Sequence, residues 1–332
     1  EHYEDCRSRE QALYILDSRN QMLCGYYAFG EYRFPKACLE LIRRSRRTDG
    51  LLSLTSPGGN DWPIPFFSLI YPIQVEEYVR YSGDIAYGEE LLPFLNRLLD
   101  VFRNRISASG VCTSFPGSDA WNFFEWADTM DGEPAPWARK GPDIPENSAP
   151  LSAALSLALE RMADLCDRLG KSGQADALRM EQETLNRAIV RNFYDETDEL
   201  FRSFSQRHRG TYSVLTNALC LLCGAAPASA EKVCRLVAEN GGGVFDVPVV
   251  PASLSMACFR YDGLLRANRE KYRKEILAEI DRVYLFMLRQ GATSVWETME
   301  GQADFHGAGS LCHGWSGLPV YYYRTPLTEE KI

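Results

Sequence analysis

The sequence has no excess of positive charge and no long hydrophobic run. Lysine and arginine number 36 against 45 aspartates and glutamates, which gives a formal net charge of −9. A protein that binds nucleic acid needs a basic patch to neutralise phosphates, so this balance argues against a nucleic-acid partner. No apolar stretch approaches the ~20 residues of a membrane-spanning helix, and we expect no membrane partner.

A secretory signal peptide is also missing. The chain opens on Glu1 rather than on methionine, and we therefore expect a processed or trimmed N-terminus. Neither the compartment nor the oligomeric state can be read from these features.

Motifs that carry several other chemistries are absent as well. No G-x-S-x-G elbow, P-loop, H-E-x-x-H or EF-hand pattern occurs, which argues against serine-based and phosphate-transfer mechanisms. Ten cysteines in 332 residues do not make a disulfide scaffold. Cys220 and Cys223 match C-x-x-C, but no second pair stands at zinc-site spacing. We therefore expect no metal and no cofactor.

Helical periodicity is abundant, in a composition of 45% apolar and 24% charged residues that is typical of a globular chain. The apolar spacing predicts eleven helices, most of them paired through short turns: 9–28, 34–47, 66–81, 86–105, 151–169, 175–193, 212–223, 228–239, 252–267, 270–290 and 311–323. Paired helices predict an all-α (α/α)6 barrel, which twelve helices close. We expect the missing first helix to precede Glu1. An α-solenoid is the alternative, but no pattern repeats at a fixed period.

The first predicted helix carries the polar residues on which the functional hypothesis rests. A capping-box pattern at Ser8 predicts that the helix begins near Arg9. Helical spacing then places four polar side chains on one face: Glu10, Tyr14, Asp17 and Gln21. Because the other faces are apolar, we expect this face to contact a sugar. The alternative is a solvated face whose acids are neutralised by Arg9 and Arg19.

Long loops place tryptophans beside carboxylates. In a barrel of hairpins such loops collect at one end, and a loop as long as 107–148 is usually functional. The residues concerned are Asp61, Trp62, Trp121, Glu125, Trp126, Asp128, Trp296 and Glu297. Aromatic planes pack against the C–H faces of a sugar while acids bind its hydroxyls, so the pattern predicts a carbohydrate site.

Two distant glutamates are the candidate catalytic pair. Hydrolysis of a glycosidic bond needs one acid to protonate the leaving oxygen and one carboxylate to act on water or on the anomeric carbon. Glu10 and Glu297 can form this pair only if the ring brings its ends together. A Glu in the first turn of a helix has its pKa lowered by the dipole, so burial and the nearby Asp5 and Asp17 must raise it. His313, at the start of the last predicted helix, is either structural or a partner for a sugar hydroxyl.

These residues resemble the α-L-rhamnosidases of glycoside hydrolase family 78, in particular those common in gut Bacteroidetes. The similarity covers nearly the whole chain and is carried by Tyr3 to Cys6, Arg9 to Tyr14, Asp17, Trp121 to Trp126, Val295 to Glu297 and Ser310 to His313. The resemblance implies an (α/α)6 barrel that hydrolyses terminal α-L-rhamnosides with inversion and without a cofactor. In an inverting enzyme the two carboxyl groups stand roughly 6.5–9.5 Å apart.

By position, the resemblance makes Glu10 the general acid and Glu297 the general base. It assigns six residues to the rhamnose subsite: Asp5, Arg9, Asp17, Glu125, Trp126 and His313. We add four aromatic residues as sugar contacts from their own setting: Tyr14, Trp62, Trp121 and Trp296. The chain departs from the family where many members have proline in place of Arg7 and Gly-Trp-x-Gly in place of residues 13–16.

Family members usually carry β-sandwich domains on both sides of the barrel. We expect residues 1–332 to form the single catalytic domain without them, and by resemblance a periplasmic or secreted location. Two other functions stay open at this point. One is hydrolysis of a uronyl or hexosyl residue, for which Arg9 is the candidate basic contact. The other is a barrel that binds carbohydrate without cleaving it.

Overall fold

The computed structural model describes residues 2–58, 62–127, 129–132, 146–205, 212–243 and 245–324. Two loop carboxylates noted in the sequence, Asp61 and Asp128, lie outside these ranges. Among the described helices, none combines the length and the apolar character that crossing a membrane would require.

The described chain is largely helical. Its helices are α1 (Ile15–Ala28), α2 (Arg33–Arg44), α3 (Pro65–Ser82), α4 (Ile85–Arg103), α5 (Ala149–Arg168), α6 (Ser172–Phe193), α7 (Val214–Leu222), α8 (Glu231–Ala238), α9 (Ala257–Arg289), the single turn α10 (Asp304–Gly307) and α11 (Pro319–Arg324). Short 3-10 turns occur at Leu254–Met256, Gly301–Ala303 and Gly314–Ser316. Two-residue strands form two pairs: β1 (Tyr194–Asp195) antiparallel to β2 (Leu200–Phe201), and β3 (Tyr212–Ser213) parallel to β4 (Val249–Val250).

Helices α1, α3, α5, α7, α9 and α11 form a closed inner ring. Each packs against the next in this order, and α11 packs against both α9 and α1. Helices α3, α5 and α7 are buried along most of their length, whereas α2 and α8 bury a single apolar face, as outer helices do. The fold is therefore an (α/α)6 toroid, the predicted class.

Helix α9 supplies both an inner and an outer arm. Asn268 has non-helical φ and ψ of −159° and 94°, so the helix breaks there. The Asn268 side chain accepts a hydrogen bond from the backbone N–H of Lys271 at 3.0 Å and caps the second arm. The two arms match the predicted helices 252–267 and 270–290. The described residues thus supply six inner and five outer arms.

The predicted start of the first helix is wrong. Helix α1 begins at Ile15, not near Arg9, because Gln11 adopts a left-handed φ of 52° that ends any helical path. Asp5 closes the preceding loop: its N–H donates to the Ala12 carbonyl at 2.9 Å, and its carboxylate accepts from the Ala12 N–H at 2.8 Å. Glu10 and Tyr14 therefore precede the helix, and the helix-dipole effect expected at Glu10 does not arise.

The last predicted helix, 311–323, is wrong in its first half. His313 is extended, with φ −132° and ψ 128°, and pairs with Cys6 in an antiparallel bridge. Only Pro319–Arg324 is α-helical. The pairing between Cys6 and His313 joins the start of the chain to its end and so positions the site.

Candidate active site

A cavity of about 330 Å³ opens at the end of the ring where α1 and α3 begin. Seven side chains form its polar lining: Asp5, Arg9, Glu10, Tyr14, Asp17, Glu297 and His313. Eight form its apolar lining: Leu54, Trp62, Ile64, Phe67, Trp121, Phe123, Trp126 and Trp315. Ten of the twelve predicted site residues therefore meet in one cavity.

The two ends of the chain are bound together beneath this cavity. The Gly314 N–H donates to the Asp5 carbonyl at 2.6 Å, and the His313 N–H donates to Val295 at 3.0 Å. A Cβ at position 314 would lie 2.2 Å from Gln21 Nε2, so a larger residue there would force the Gln21 side chain to move. These backbone bonds bring Glu10 and Glu297 to one site although they are far apart in sequence.

Glu297 is buried and rigidly oriented. Its side chain is 2% exposed, and its two oxygens accept hydrogen bonds from Arg9 Nη2 at 2.7 Å and from the Ser310 N–H at 2.8 Å. Its own carbonyl accepts from the indole of Trp315 at 3.0 Å. A carboxylate held this way faces the cavity in one orientation.

Arg9 links the two candidate catalytic carboxylates. Its Nη2 donates to Glu297, and its Nε contacts Glu10 Oε2 at 3.3 Å. Because the nitrogens of one guanidinium have a fixed spacing, the two contacted oxygens lie within about 8 Å of each other. Both carboxylates can therefore reach a single sugar ring.

Asp5 and Glu10 form a coupled acid pair. Burial raises the pKa of Asp5 to about 6, and its hydrogen bond with Glu10 adds to that rise. Burial also acts to raise the pKa of Glu10, but hydrogen bonds from Asp5 and Cys6, with the charge of Arg9, bring it to about 2. The pair holds one proton between about pH 2 and pH 6 and titrates as a unit.

Asp17 orients His313. The His313 Nε2 lies 3.2 Å from Asp17 Oδ1, and both side chains are buried. The imidazole packs on the Trp315 ring with centroids 3.9 Å apart. Its Nδ1 has no hydrogen-bond partner within the described part of the protein and stands 3.8 Å from Glu297 Oε2. A buried polar atom at the cavity wall is suited to binding a ligand hydroxyl or water.

One group of described residues can offer mixed ligands to a metal ion. Ligand atoms of Asp5, Cys6 and His313 lie within 4.8 Å of one another. Asp5 already accepts from Ala12, and the Cys6 thiol donates to Glu10 Oε2 at 3.1 Å. Because Asp5 and Cys6 are satisfied inside the protein, we assign the cluster a hydrogen-bonding role.

Trp121 and Trp126 of the α4–α5 loop belong to a packed aromatic group. Trp121 donates from its indole to the Asp131 carbonyl at 2.6 Å, and its ring lies 5.9 Å from that of Trp126. Phe123 packs between them, 4.8 Å from Trp126. Trp126 is nevertheless 40% exposed, which leaves much of its ring at the cavity mouth.

Glu125 and Trp296 are not among the residues that line this cavity. Glu125 is buried, and its carboxylate accepts from the Ser253 hydroxyl at 2.6 Å, the Ser253 N–H at 2.9 Å and the Trp126 N–H at 2.8 Å. Trp296 lines a separate depression with Arg7 and Leu311. Each is the sequence neighbour of a residue that does line the cavity.

Sequence reasoning missed five lining residues: Leu54, Ile64, Phe67, Phe123 and Trp315. Four of them look like ordinary core positions in the sequence. Trp315 was detectable, because it follows the candidate site residue His313 by two positions and is the one aromatic residue in the Gly314–Ser316 turn.

A second cavity of about 730 Å³ shares no residue with the first. It lies beside the β1–β2 hairpin and α8, where Tyr194, Glu199 and Arg235 contribute to its lining. It contains none of the predicted site residues, and its greater volume does not make it the active-site candidate.

The chain is similar to rhamnosidases of known structure. The structure of the family 78 rhamnosidase of Bacillus sp. GL1 matches with a TM-score of 0.81 and 25% identity, over 97% of this chain and 32% of that one. The rhamnosidase from Klebsiella oxytoca with rhamnose bound matches with a TM-score of 0.79 and 21% identity, over 98% and 60%. This chain therefore spans about a third of the length of the first and 60% of the second.

A different enzyme shares the fold at lower identity. The family 63 mannosylglycerate hydrolase from Thermus thermophilus, in complex with glucose, matches with a TM-score of 0.67 and 12% identity, over 97% of this chain and 95% of that one. No curated protein matches the chain. The family model for the bacterial α-L-rhamnosidase six-hairpin glycosidase domain matches residues 1–325. The chain belongs to that family.

Proposed function

We propose that the protein hydrolyses terminal α-L-rhamnosides with inversion of the anomeric configuration. The observation that carries this proposal is the contact of Arg9 with both Glu10 and Glu297 in one small cavity. Its volume of about 330 Å³ is at the lower end of the roughly 300–1,000 Å³ range of ligand pockets, which suits one sugar ring.

Glu10 is the proposed general acid. Its side chain is 41% exposed, so it stands where a leaving group can depart into solvent. The glycosidic oxygen takes a proton from Glu10 as the bond to the anomeric carbon breaks. A proton transfer of this kind contributes typically 10²–10⁴-fold to the rate.

The proton on Glu10 comes from its partner Asp5. Below about pH 6 the raised pKa of Asp5 keeps one proton on the pair, and their mutual hydrogen bond lets that proton move to Glu10. This arrangement supplies an acid although the pKa of Glu10 itself is low. Asp5 acts here as a positioning and proton-holding residue.

Glu297 is the proposed general base. It takes a proton from a water that attacks the anomeric carbon on the face opposite to the leaving group. Inversion needs the two carboxyl groups roughly 6.5–9.5 Å apart, and the limit of about 8 Å between the oxygens that contact Arg9 is compatible with that spacing.

The cavity lining supports a 6-deoxy sugar over a uronic acid. Leu54, Ile64 and Phe67 are uncharged and suit a methyl group better than a hydroxymethyl or carboxylate. Arg9, the cation among the described lining residues, already contacts two glutamates and offers little to a substrate carboxylate. The relative from Klebsiella oxytoca is a rhamnosidase with rhamnose bound, which favours the same sugar.

A set of p-nitrophenyl glycosides tests the sugar. We expect release of p-nitrophenol from the α-L-rhamnoside, at least tenfold slower release from the α-L-mannoside, which adds one hydroxyl, and none from the β-D-glucuronide. Preference for the glucuronide would overturn the proposal. Tight binding of rhamnose without any hydrolysis would instead indicate a carbohydrate-binding barrel.

The acid role of Glu10 has its own test. Glu10→Gln should strongly reduce the rate of hydrolysis of p-nitrophenyl rhamnoside. It should have little effect on the rate for 2,4-dinitrophenyl rhamnoside, whose leaving group needs little protonation. Equal loss on both substrates would show that Glu10 does not act as the acid.

A further inference from the structure

The loop that follows Glu297 carries a strained aromatic residue at the cavity mouth. Phe305 and His306 both adopt left-handed backbone conformations, with φ of 48° and 59°. Non-glycine residues pay an energetic cost for this conformation, and such strain concentrates at functional sites. Side chains of Asp304 and Arg9 hold the loop, through bonds to the Phe305 N–H at 2.8 Å and to the Ala308 carbonyl at 2.7 Å.

Phe305 packs against two residues of the cavity lining, Arg9 and Trp126. Its ring centroid lies 5.5 Å from the Arg9 guanidinium carbon and 5.6 Å from the Trp126 ring, which it meets at 71°. Phe305 is half-buried and Trp126 is 40% exposed. The pair joins the loop after Glu297 to the α4–α5 loop, and we call it the mouth pair.

The mouth pair is linked to Glu10 through Arg9, which also binds Glu297. Arg9 contacts Phe305 with its guanidinium and Glu10 with its Nε at 3.3 Å. A general acid must be within roughly 2.6–3.2 Å of the atom that it protonates. The leaving oxygen therefore sits next to Glu10, from where the group attached to it can reach Phe305 and Trp126 at the mouth of the cavity.

We propose that Phe305 and Trp126 bind the leaving group, and that the preferred leaving group presents a flat ring face, either aromatic or pyranose. This inference rests on the proposed function, because the leaving side is defined by the acid role of Glu10. Ring faces pack on exposed indole and phenyl rings with favourable geometry, whereas an acyclic or very small leaving group gains nothing from the pair.

Substrates whose leaving group has a ring are compared with one whose leaving group has none. The comparison distinguishes a role of Phe305 in leaving-group binding from a general effect on the site. For Phe305→Ala we expect KM for p-nitrophenyl α-L-rhamnoside and for a rhamnosyl-glucoside to rise about 3- to 10-fold, as the loss of an aromatic contact predicts. For α-L-rhamnosyl fluoride, which has no ring to place, kcat/KM should stay within twofold of wild type. Comparison of the aryl and glucosyl substrates tells which ring the pair prefers.

Two further variants serve as controls for this test. Phe305→Tyr retains the ring and should recover most of the KM that Phe305→Ala loses on the ring-bearing substrates. Phe286→Ala is the matched control, because Phe286 makes a similar edge-to-face pair with Trp296, at 6.4 Å and 84°, outside the cavity lining. It should leave all substrates unchanged.

The outcomes are distinguishable. If wild type cleaves none of these rhamnosides, the proposed function itself is wrong. Two outcomes would reject the leaving-group role of the mouth pair while the proposed function stands. In both, wild type cleaves the rhamnosides. In the first, Phe305→Ala reduces hydrolysis of the fluoride as much as that of the ring-bearing substrates, and in the second it reduces hydrolysis of neither.

Discussion

At two places in this chain a tryptophan and a glutamate are adjacent in sequence, and the two places have opposite arrangements. In Glu125-Trp126 the tryptophan lines the cavity and the glutamate anchors a loop, whereas in Trp296-Glu297 the glutamate lines the cavity and the tryptophan packs outside it. Ser253 binds the Glu125 carboxylate and Phe286 packs against Trp296, so in each pair one member contacts protein outside the cavity. Composition alone does not predict which member of each pair lines the cavity.

Burial does not distinguish the two glutamates, but their partners do. Glu125 is 1% and Glu297 is 2% exposed. Glu125 receives bonds from nearby neutral groups, the Ser253 hydroxyl and two backbone N–H groups. Glu297 is paired with Arg9, which also contacts Glu10. A buried carboxylate next to a charged partner in a cavity is a functional candidate, while one bonded to loop backbone is structural.

The largest expected effect is on Glu297. Glu297→Gln keeps the shape and most hydrogen bonds but removes the proposed base, so kcat for p-nitrophenyl α-L-rhamnoside should fall about 10²–10⁴-fold. Thermal unfolding monitored by circular dichroism should show a Tm within a few degrees of wild type. Activity close to that of wild type would assign the base elsewhere.

The pH dependence is expected to be the next largest effect. The raised pKa of Asp5, about 6, keeps the Asp5–Glu10 pair protonated below that pH. As pH rises through 6 the acid is lost, and kcat/KM should fall about tenfold per pH unit. Asp5→Asn should lower kcat/KM and move this alkaline limb to lower pH.

Glu125→Gln is the control for that profile. Glu125 has no acidic neighbour among the described groups that affect its pKa, which burial raises. The alkaline limb should therefore stay near 6 in this variant. A shift of the alkaline limb of the kcat/KM profile would mean that Glu125 affects the ionisation of the reacting groups.

The same variant should instead affect stability. Glu125→Gln exchanges a carboxylate that accepts bonds from Ser253 for an amide that can accept fewer, and we expect a loss of about 1–3 kcal/mol in the free energy of unfolding. Urea denaturation of wild type and Glu125→Gln measures this loss. An unchanged midpoint together with a large loss of activity would reverse the roles assigned to the two glutamates.

The tryptophans give the smallest contrast. Trp126→Ala should raise KM about 3- to 10-fold, since an aromatic contact to a ring is lost. Trp296→Ala should leave KM and kcat within twofold of wild type, because its ring packs against Phe286 and Gly301. Steady-state kinetics of both variants on one substrate decide this. Equal effects on KM would place Trp296 in the substrate site after all.

Much of the fold was predictable because helical hairpins are local. Apolar spacing within 66–81 and 86–105 and the turn at Gly83 specify α3 and α4 nearly to the residue. The break at Asn268 fell between two predicted helices for the same reason. Closure of the ring was also predictable, since a set of paired helices with apolar inner faces buries them best in a circle.

The start of α1 was not predictable from its pattern. Ser8 and Gln11 have capping-box spacing, but Asp5 binds the Ala12 backbone instead and Gln11 turns left-handed. The competing bond comes from outside the window that the pattern covers. Similarly, His313 is extended because it pairs with Cys6 at the other end of the chain, a contact with no local signal.

Among the candidate site residues, the meeting of most of them in one cavity was predictable, and the orientation of each side chain was not. Glu10, Glu297 and Arg9 meet as expected, because closure of the ring and the backbone bonds between the chain ends bring them together. The side on which Glu125 and Trp296 lie depends on Ser253 and Phe286, which belong to other elements. Sequence spacing cannot specify such contacts.

The most direct test of the account is proton NMR of the first product formed from p-nitrophenyl α-L-rhamnoside. Two carboxylates acting on opposite faces of one sugar predict that β-L-rhamnose appears first and then mutarotates to the equilibrium mixture. Initial accumulation of α-L-rhamnose would contradict the assignment of Glu297 as a base that activates water.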